Sequence, residues 1–105
     1  MIDLNEMASQ MYEVALKREE HNPIANSLVS IEMLKHLSGE VVEASMAYGA
    51  SMAYGIGAEP YRMELADILC CVMLLAHKED FDIEKMLQDV FEKNKKRAEK
   101  QGDKL

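Results

Sequence analysis

A nearly continuous apolar stretch runs from Met63 to Ala76 and limits the folds open to this chain. Twelve of its 14 residues are apolar, and the exceptions are Glu64 and Asp67. The stretch is shorter than the roughly 20 residues of a membrane span, and on a helix the three-residue spacing puts both acids on one face. A helix that is apolar on nearly all sides is expected to be central and buried. Ionised carboxylates there require a compensating cation, either from the chain or as a metal ion.

The remaining sequence predicts three more helices around this one. Of the seven Gly and Pro residues, five mark two junctions: Pro23 marks one, and Gly49, Gly55, Gly57 and Pro60 mark a second, wider one. Between these breaks the apolar residues recur at spacings of three and four. The expected helices run over about Asp3–Arg18, from near Pro23 to about Tyr48 or beyond, from near Pro60 to about His77, and from after Asp82. We therefore predict one all-α domain over residues 1–105, a four-helix bundle whose thin core is completed by homo-oligomerisation.

The composition excludes several classes of function. The formal net charge of −7 argues against binding to duplex nucleic acid, which needs a cationic face. The N-terminal residues lack the basic start and apolar core of a secretory signal. Cys70 and Cys71 are adjacent in an apolar stretch and are expected to be reduced thiols rather than a disulfide. These features predict a cytoplasmic protein that does not enter a membrane.

A second pair of acids, Glu40 and Glu43, has the same three-residue spacing on the second predicted helix. Glu32 and His36 fall on the same arc, so a solvated polar face also explains this pair. Two antiparallel helices that each carry such a pair can direct four carboxylates into one space. Four oxygen donors of this kind suit Mg²⁺ or Mn²⁺.

Other metals fit the sequence less well. Di-iron carboxylate bundles need an E-x-x-H pair on each of two helices, and no E-x-x-H is present. Adjacent cysteines without helpful histidine spacing also disfavour zinc. The three histidines are interpreted as ordinary surface or helix-end residues.

Two further features carry alternative interpretations. The basic segment near the C-terminus contains Lys93, Asn94 and Arg97; it is either a solvated helix end or a phosphate-binding surface. The sequence ASMAYG occurs twice, at residues 44–49 and 50–55. This duplication either lengthens a helix end or provides Tyr48 and Tyr54 as stacking surfaces for a base.

Three segments together resemble the MazG-like all-α nucleoside triphosphate pyrophosphohydrolases, which include dimeric dUTPases and dCTP pyrophosphatases. They are GEVVEA at 39–44, MELADIL at 63–69 and EKNKKR at 92–97, and the resemblance covers about residues 24–100. It implies a Mg²⁺-dependent hydrolysis of a nucleoside triphosphate to the monophosphate and pyrophosphate by a homodimer or homotetramer, with nucleotide-pool cleaning as one purpose. The metal-binding and catalytic residues it implies are Glu40, Glu43, Glu64 and Asp67. The phosphate contacts it implies are Lys93, Asn94 and Arg97.

The chain departs from the family pattern at three positions. Leu37 and Met46 stand where many members carry a further acid, and Val90 stands where many carry a lysine. These departures keep open a degenerate relative that binds nucleotide or a protein partner without turnover. A purely structural dimerisation module, with its acids paired to tail cations, is a third reading. The candidates for base contact are Tyr48, Tyr54 and Tyr61.

Overall fold

The computed structural model describes residues 2–21 and 28–101. Over these residues the chain forms four helices and no strand, which confirms the predicted all-α fold. The helices are α1 (Leu4–His21), α2 (Ser30–Tyr54), α3 (Glu59–Lys78) and α4 (Ile83–Gln101). The helix start predicted near Pro23 lies outside the described residues. None of the four helices is long and apolar enough to cross a membrane.

Aspartate side chains define the starts of α1 and α4. Asp3 Oδ1 accepts the backbone N–H groups of Asn5 and Glu6 at 3.0 and 3.1 Å. Asp82 Oδ1 accepts the N–H of Lys85 at 3.2 Å. The first N–H groups of a helix have no partner within it, so these side chains satisfy them and fix where each helix begins.

The duplicated ASMAYG segment forms the end of α2. The helix passes through Gly49, the last residue of the first copy, and continues to Tyr54. Gly55, the last residue of the second copy, adopts φ 62°, a left-handed conformation that glycine enters without steric cost. The duplication therefore lengthens a helix, and its second glycine terminates it.

The central helix is α3, which contacts all three others. α2 runs antiparallel to it and, among the described residues, packs against no other helix. At one end of this helix pair the Ser30 hydroxyl donates a hydrogen bond to the Glu79 carboxylate. The same hydroxyl accepts a hydrogen bond from the Lys78 ammonium at 3.1 Å. At the other end Ser51 Oγ donates to the Gly57 carbonyl at 2.9 Å.

The apolar core lies where α1, α3 and the start of α4 meet. The buried members of this cluster are Ala8, Met73, Ala76 and Ile83, with Leu4, Met7 and Met11 packed against them. Met33 and Ala44 of α2 are buried outside this cluster. α3 is central as predicted, but the single chain buries it less than expected, since Leu65 and Leu69 are 45% and 60% exposed. The reason is geometric: α1 and α2 cover part of α3, and no further layer of the described chain covers the rest.

Candidate metal centre

Three of the predicted carboxylates meet on the seam between α2 and α3. Glu40 and Glu43 lie one turn apart on α2, and Glu64 lies on α3. One carboxylate oxygen from each residue lies within 4.8 Å of the other two. The antiparallel packing explains this, because the three-residue spacing directs both α2 acids to the side that faces α3.

Two oxygens of this acidic cluster (Glu40, Glu43 and Glu64) are buried without a partner. They are Glu40 Oε2 and Glu64 Oε2. The Glu40 side chain as a whole is only 12% exposed, whereas Glu43 is exposed. Buried polar atoms in proteins are almost always satisfied, so two orphaned oxygens beside a third carboxylate fit the ligand set of a hard divalent cation.

The electrostatics of the cluster indicate uncompensated negative charge. Burial raises the pKa of Glu64, and the neighbouring charges of Glu43, Glu40 and Asp67 raise it further. A carboxyl in this setting is held toward its neutral form unless a cation arrives.

Among the described residues, lysine and arginine ion pairs do not supply that compensation. The ion pairs of Lys and Arg are local and lie elsewhere: Lys35 with Glu32, Arg62 with Glu59, and Lys85 with Asp89. All are exposed pairs three or four residues apart on one helix. This arrangement does not support the reading in which the acids pair with tail cations.

Asp67 stands beside the cluster rather than in it. It lies one turn after Glu64 on α3, is exposed, and is not among the carboxylates that approach within 4.8 Å. Its charge still raises the pKa of Glu64 and of both cysteines. The Cys71 pKa rises to about 11, chiefly through burial and then through the charge of Glu40. Both thiols are free and half-buried.

The predicted phosphate-binding residues are not brought to the cluster by the single chain. Lys93, Asn94 and Arg97 are exposed along α4. Within the described ranges, α4 touches α1 and α3 but not α2. The trio is therefore separate from the helix that carries Glu40 and Glu43.

Two of the candidate tyrosines lie on the same seam as the acids. The Tyr48 and Tyr61 rings pack edge to face, with centroids 5.3 Å apart. Tyr61 is one turn before Glu64 on α3. Tyr54, by contrast, is 79% exposed at the end of α2. An aromatic pair therefore stands next to the cluster, toward the connection between α2 and α3.

Sequence reasoning missed one residue at this site. His36 Nε2 lies 3.1 Å from Glu40 Oε1, although His36 was interpreted as an ordinary surface histidine. The signal was present in the sequence, because residues four apart on a helix are neighbours. The spacing of metal-ligand pairs, by contrast, does not reveal a contact between a histidine and a carboxylate four residues later.

Comparison with known proteins agrees with this geometry. The family model for the MazG nucleotide pyrophosphohydrolase domain matches residues 30–101. That range contains the acidic cluster, the apolar helix α3 and the basic segment of α4. No curated protein and no solved structure matches the chain.

Proposed function

This chain belongs to the MazG nucleotide pyrophosphohydrolase domain family, and we propose that it hydrolyses a nucleoside triphosphate to the monophosphate and pyrophosphate with Mg²⁺ as its metal. Water attacks the α-phosphorus, and the bond to the oxygen that bridges to the β-phosphorus breaks. The observation that carries the proposal is the cluster of three carboxylates with two buried, unpartnered oxygens. Removal of damaged or unwanted nucleotides is the cellular purpose we infer.

The residues of the cluster fit this role by their chemistry. Glu40, Glu43 and Glu64 hold the ion through carboxylate oxygens, the donors that Mg²⁺ and Mn²⁺ prefer. We propose Asp67 as the fourth ligand, because it lies close enough to Glu64 for its charge to raise the pKa of that carboxyl group. The chemistry that Mg²⁺ supplies when bound is charge compensation on the triphosphate and activation of a water molecule. The Tyr48–Tyr61 pair offers a face to the base of the substrate.

We also propose that the chain assembles into a homodimer or homotetramer. The accessible surface is 8213 Å², well above the roughly 5,900 Å² that size scaling gives for a compact monomer of 11.9 kDa. Large apolar side chains stay exposed on every helix of the α2–α3–α4 region, including Val42, Leu69 and Phe91. A second copy that covers these surfaces also explains how the α4 residues reach substrate. In that arrangement Lys93, Asn94 and Arg97 of one copy bind phosphates held at the cluster of the other.

A panel of canonical and modified nucleoside triphosphates tests the activity. The purified chain is incubated with Mg²⁺ or Mn²⁺, and released pyrophosphate is measured. We expect release by the parent and its loss in Glu64→Gln. Glu59→Gln is the matched control, because Glu59 is on the same helix but pairs with Arg62 in solvent. Metal binding by the parent without pyrophosphate release would instead identify a degenerate relative.

The shared site is tested by mixing two inactive variants. We expect Glu64→Gln and Arg97→Ala chains each to be inactive alone. In a dimer whose sites draw on both copies, random mixing restores about one quarter of parental activity, because half of the dimers then contain one intact site of two. No recovery after verified subunit exchange would contradict the shared site while leaving the hydrolytic activity of the parent intact.

A further inference from the structure

We propose that His36 is a positioning residue that fixes the Glu40 carboxylate so that one oxygen is occupied and the other is presented to the metal. The inference rests on the proposed function, since it concerns the same acidic cluster. It assigns a task to a residue that lies outside the acid pairs of the family pattern.

The two oxygens of Glu40 have different surroundings. Oε1 lies 3.1 Å from His36 Nε2, one helical turn earlier on α2. Oε2 is buried and has no hydrogen-bond partner. Among the described residues, His36 Nε2 is the side-chain nitrogen that lies within ion-pair distance of this carboxylate. The imidazole therefore holds one oxygen and leaves the other for a ligand.

The exposed fractions of the His36 and Glu40 side chains agree with this difference between the two carboxylate oxygens. The His36 side chain is 67% exposed, whereas that of Glu40 is 12% exposed. The solvent-exposed histidine thus contacts the nearly buried carboxylate at Oε1 and not at the buried Oε2. A glutamate side chain without such a partner has several rotamers open to it, and only some of them direct an oxygen into the cluster.

The expected effect on metal binding follows from how groups that contact metal ligands, rather than the metal itself, generally behave. Groups that hydrogen-bond to metal ligands orient them, and their removal typically weakens metal binding by 10–100-fold. At 3.1 Å from Glu40 Oε1, His36 Nε2 is close enough to act as such a partner when the metal is bound. Glu43 is exposed, so His36 orients the one α2 ligand that is nearly buried.

The chain itself supplies a conservative replacement. On α4, Gln88 Nε2 donates to Glu92 Oε1 at 3.1 Å across the same four-residue spacing. Glutamine at position 36 is therefore able to reach Glu40 in the same way. Alanine at that position leaves Glu40 without a donor. The pair of variants separates hydrogen bonding from any other role of the imidazole.

The test is Mn²⁺ binding to the full chain, measured by calorimetry without nucleotide at one fixed pH, with circular dichroism to check folding. We expect His36→Ala to raise the Kd for Mn²⁺ by about 10–100-fold and His36→Gln to stay within a few-fold of the parent. Lys35→Ala is the control, because Lys35 pairs with Glu32 on the exposed side of the same turn. Its affinity is expected to be unchanged.

The outcomes distinguish this inference from the proposed function. Parental affinity in His36→Ala, or equal weakening in His36→Gln and His36→Ala, would overturn the positioning role even if the enzyme releases pyrophosphate. Tight Mn²⁺ binding that depends on His36 in a chain that releases no pyrophosphate would refute the hydrolytic function and support the positioning role. A parent that binds no Mn²⁺ would refute both.

Discussion

Neutralising Glu64 is expected to have opposite effects on stability with and without metal. In metal-free protein the Glu64 carboxyl is partly buried among like charges, which raises its pKa from the ordinary 4.5. The folded state then holds a proton that the unfolded state has released, so stability falls as pH rises from about 4.5 through the raised pKa. Glu64→Gln removes this loss, and the metal-free variant is expected to melt above the parent at neutral pH. At pH below 4.5 the difference closes.

Mg²⁺ reverses the order of the two proteins. An ion at about 100 times its Kd stabilises the folded state by about 2.7 kcal/mol. With an unfolding entropy of about 2.1 cal/mol/K per residue, the 105 residues give about 0.22 kcal/mol/K, so the parent Tm rises by about 12 °C. If loss of the Glu64 ligand weakens binding about 100-fold, the same Mg²⁺ concentration stabilises the variant by only about 0.4 kcal/mol, or about 2 °C.

Thermal unfolding followed by circular dichroism, with EDTA and with Mg²⁺ at several pH values, measures both effects. Glu59→Gln is expected to keep the full Mg²⁺-dependent shift, because that carboxylate pairs with Arg62 in solvent. Two results would refute the reasoning. One is a metal-free Glu64→Gln protein that melts below the parent at neutral pH, and the other is a variant that keeps the whole Mg²⁺ shift.

Further changes test individual residues. Asp67→Asn is expected to weaken Mg²⁺ binding by at least about 10-fold in calorimetry if the fourth ligand is assigned correctly, and unchanged affinity would remove Asp67 from the ligand set. Gly49→Ala is expected to raise the free energy of unfolding by about 0.5–1 kcal/mol in urea titration, because the residue is helical and an added Cβ meets no atom within 4 Å. Asn5→Ala is expected to lower it by about 1–2 kcal/mol, because Asn5 Oδ1 accepts the partly buried Ile83 N–H at 2.8 Å. Cys71, with a pKa of about 11, is expected to react slowly with iodoacetamide at neutral pH and faster as the pH approaches that value, with the modified thiol located by mass spectrometry.

The four helices were predictable because their signals are local. Three- and four-residue spacing of apolar residues and the capping aspartates Asp3 and Asp82 act within one or two turns. The prediction that Gly49 belongs to a junction was wrong. One glycine costs a helix only about 1 kcal/mol relative to alanine, and the alanines of the ASMAYG repeat on either side favour the helix. Gly55 ends α2 instead, because it adopts a left-handed backbone there.

The acidic cluster was predictable in part, and its limits have a physical cause. Spacing determines which acids share a helix face, so the meeting of Glu40, Glu43 and Glu64 followed once α2 and α3 were taken as antiparallel. Spacing does not determine how far each side chain reaches across the seam, and Asp67 stays outside the closest group. His36 lies beside the cluster through its contact with Glu40, which the spacing of metal-ligand pairs does not predict.

The placement of α4 depends on contacts that no local pattern specifies. Its apolar stripe begins at Ile83, which is buried in the core, but Leu87 and Val90 farther along are 52% and 44% exposed. A stripe predicts that one face will be covered, not which surface covers it. The phosphate contacts proposed for Lys93 and Arg97 therefore depend on assembly, which periodicity within one chain does not specify.

The position of the acidic cluster links metal binding to the packing of the fold. α2 packs against α3 alone among the described helices, and the cluster lies on that single seam. The apolar core cluster of α1, α3 and Ile83 contains no residue of α2, whose own buried apolar residues are Met33 and Ala44. Among the described helices, repulsion among Glu40, Glu43 and Glu64 therefore acts on the one interface that holds α2 in place. A cation that joins the three carboxylates removes the repulsion and connects the two helices. We therefore expect metal affinity to depend on how firmly α2 is held, and we expect a surface that packs on α2 from outside to strengthen the proposed metal site without touching it.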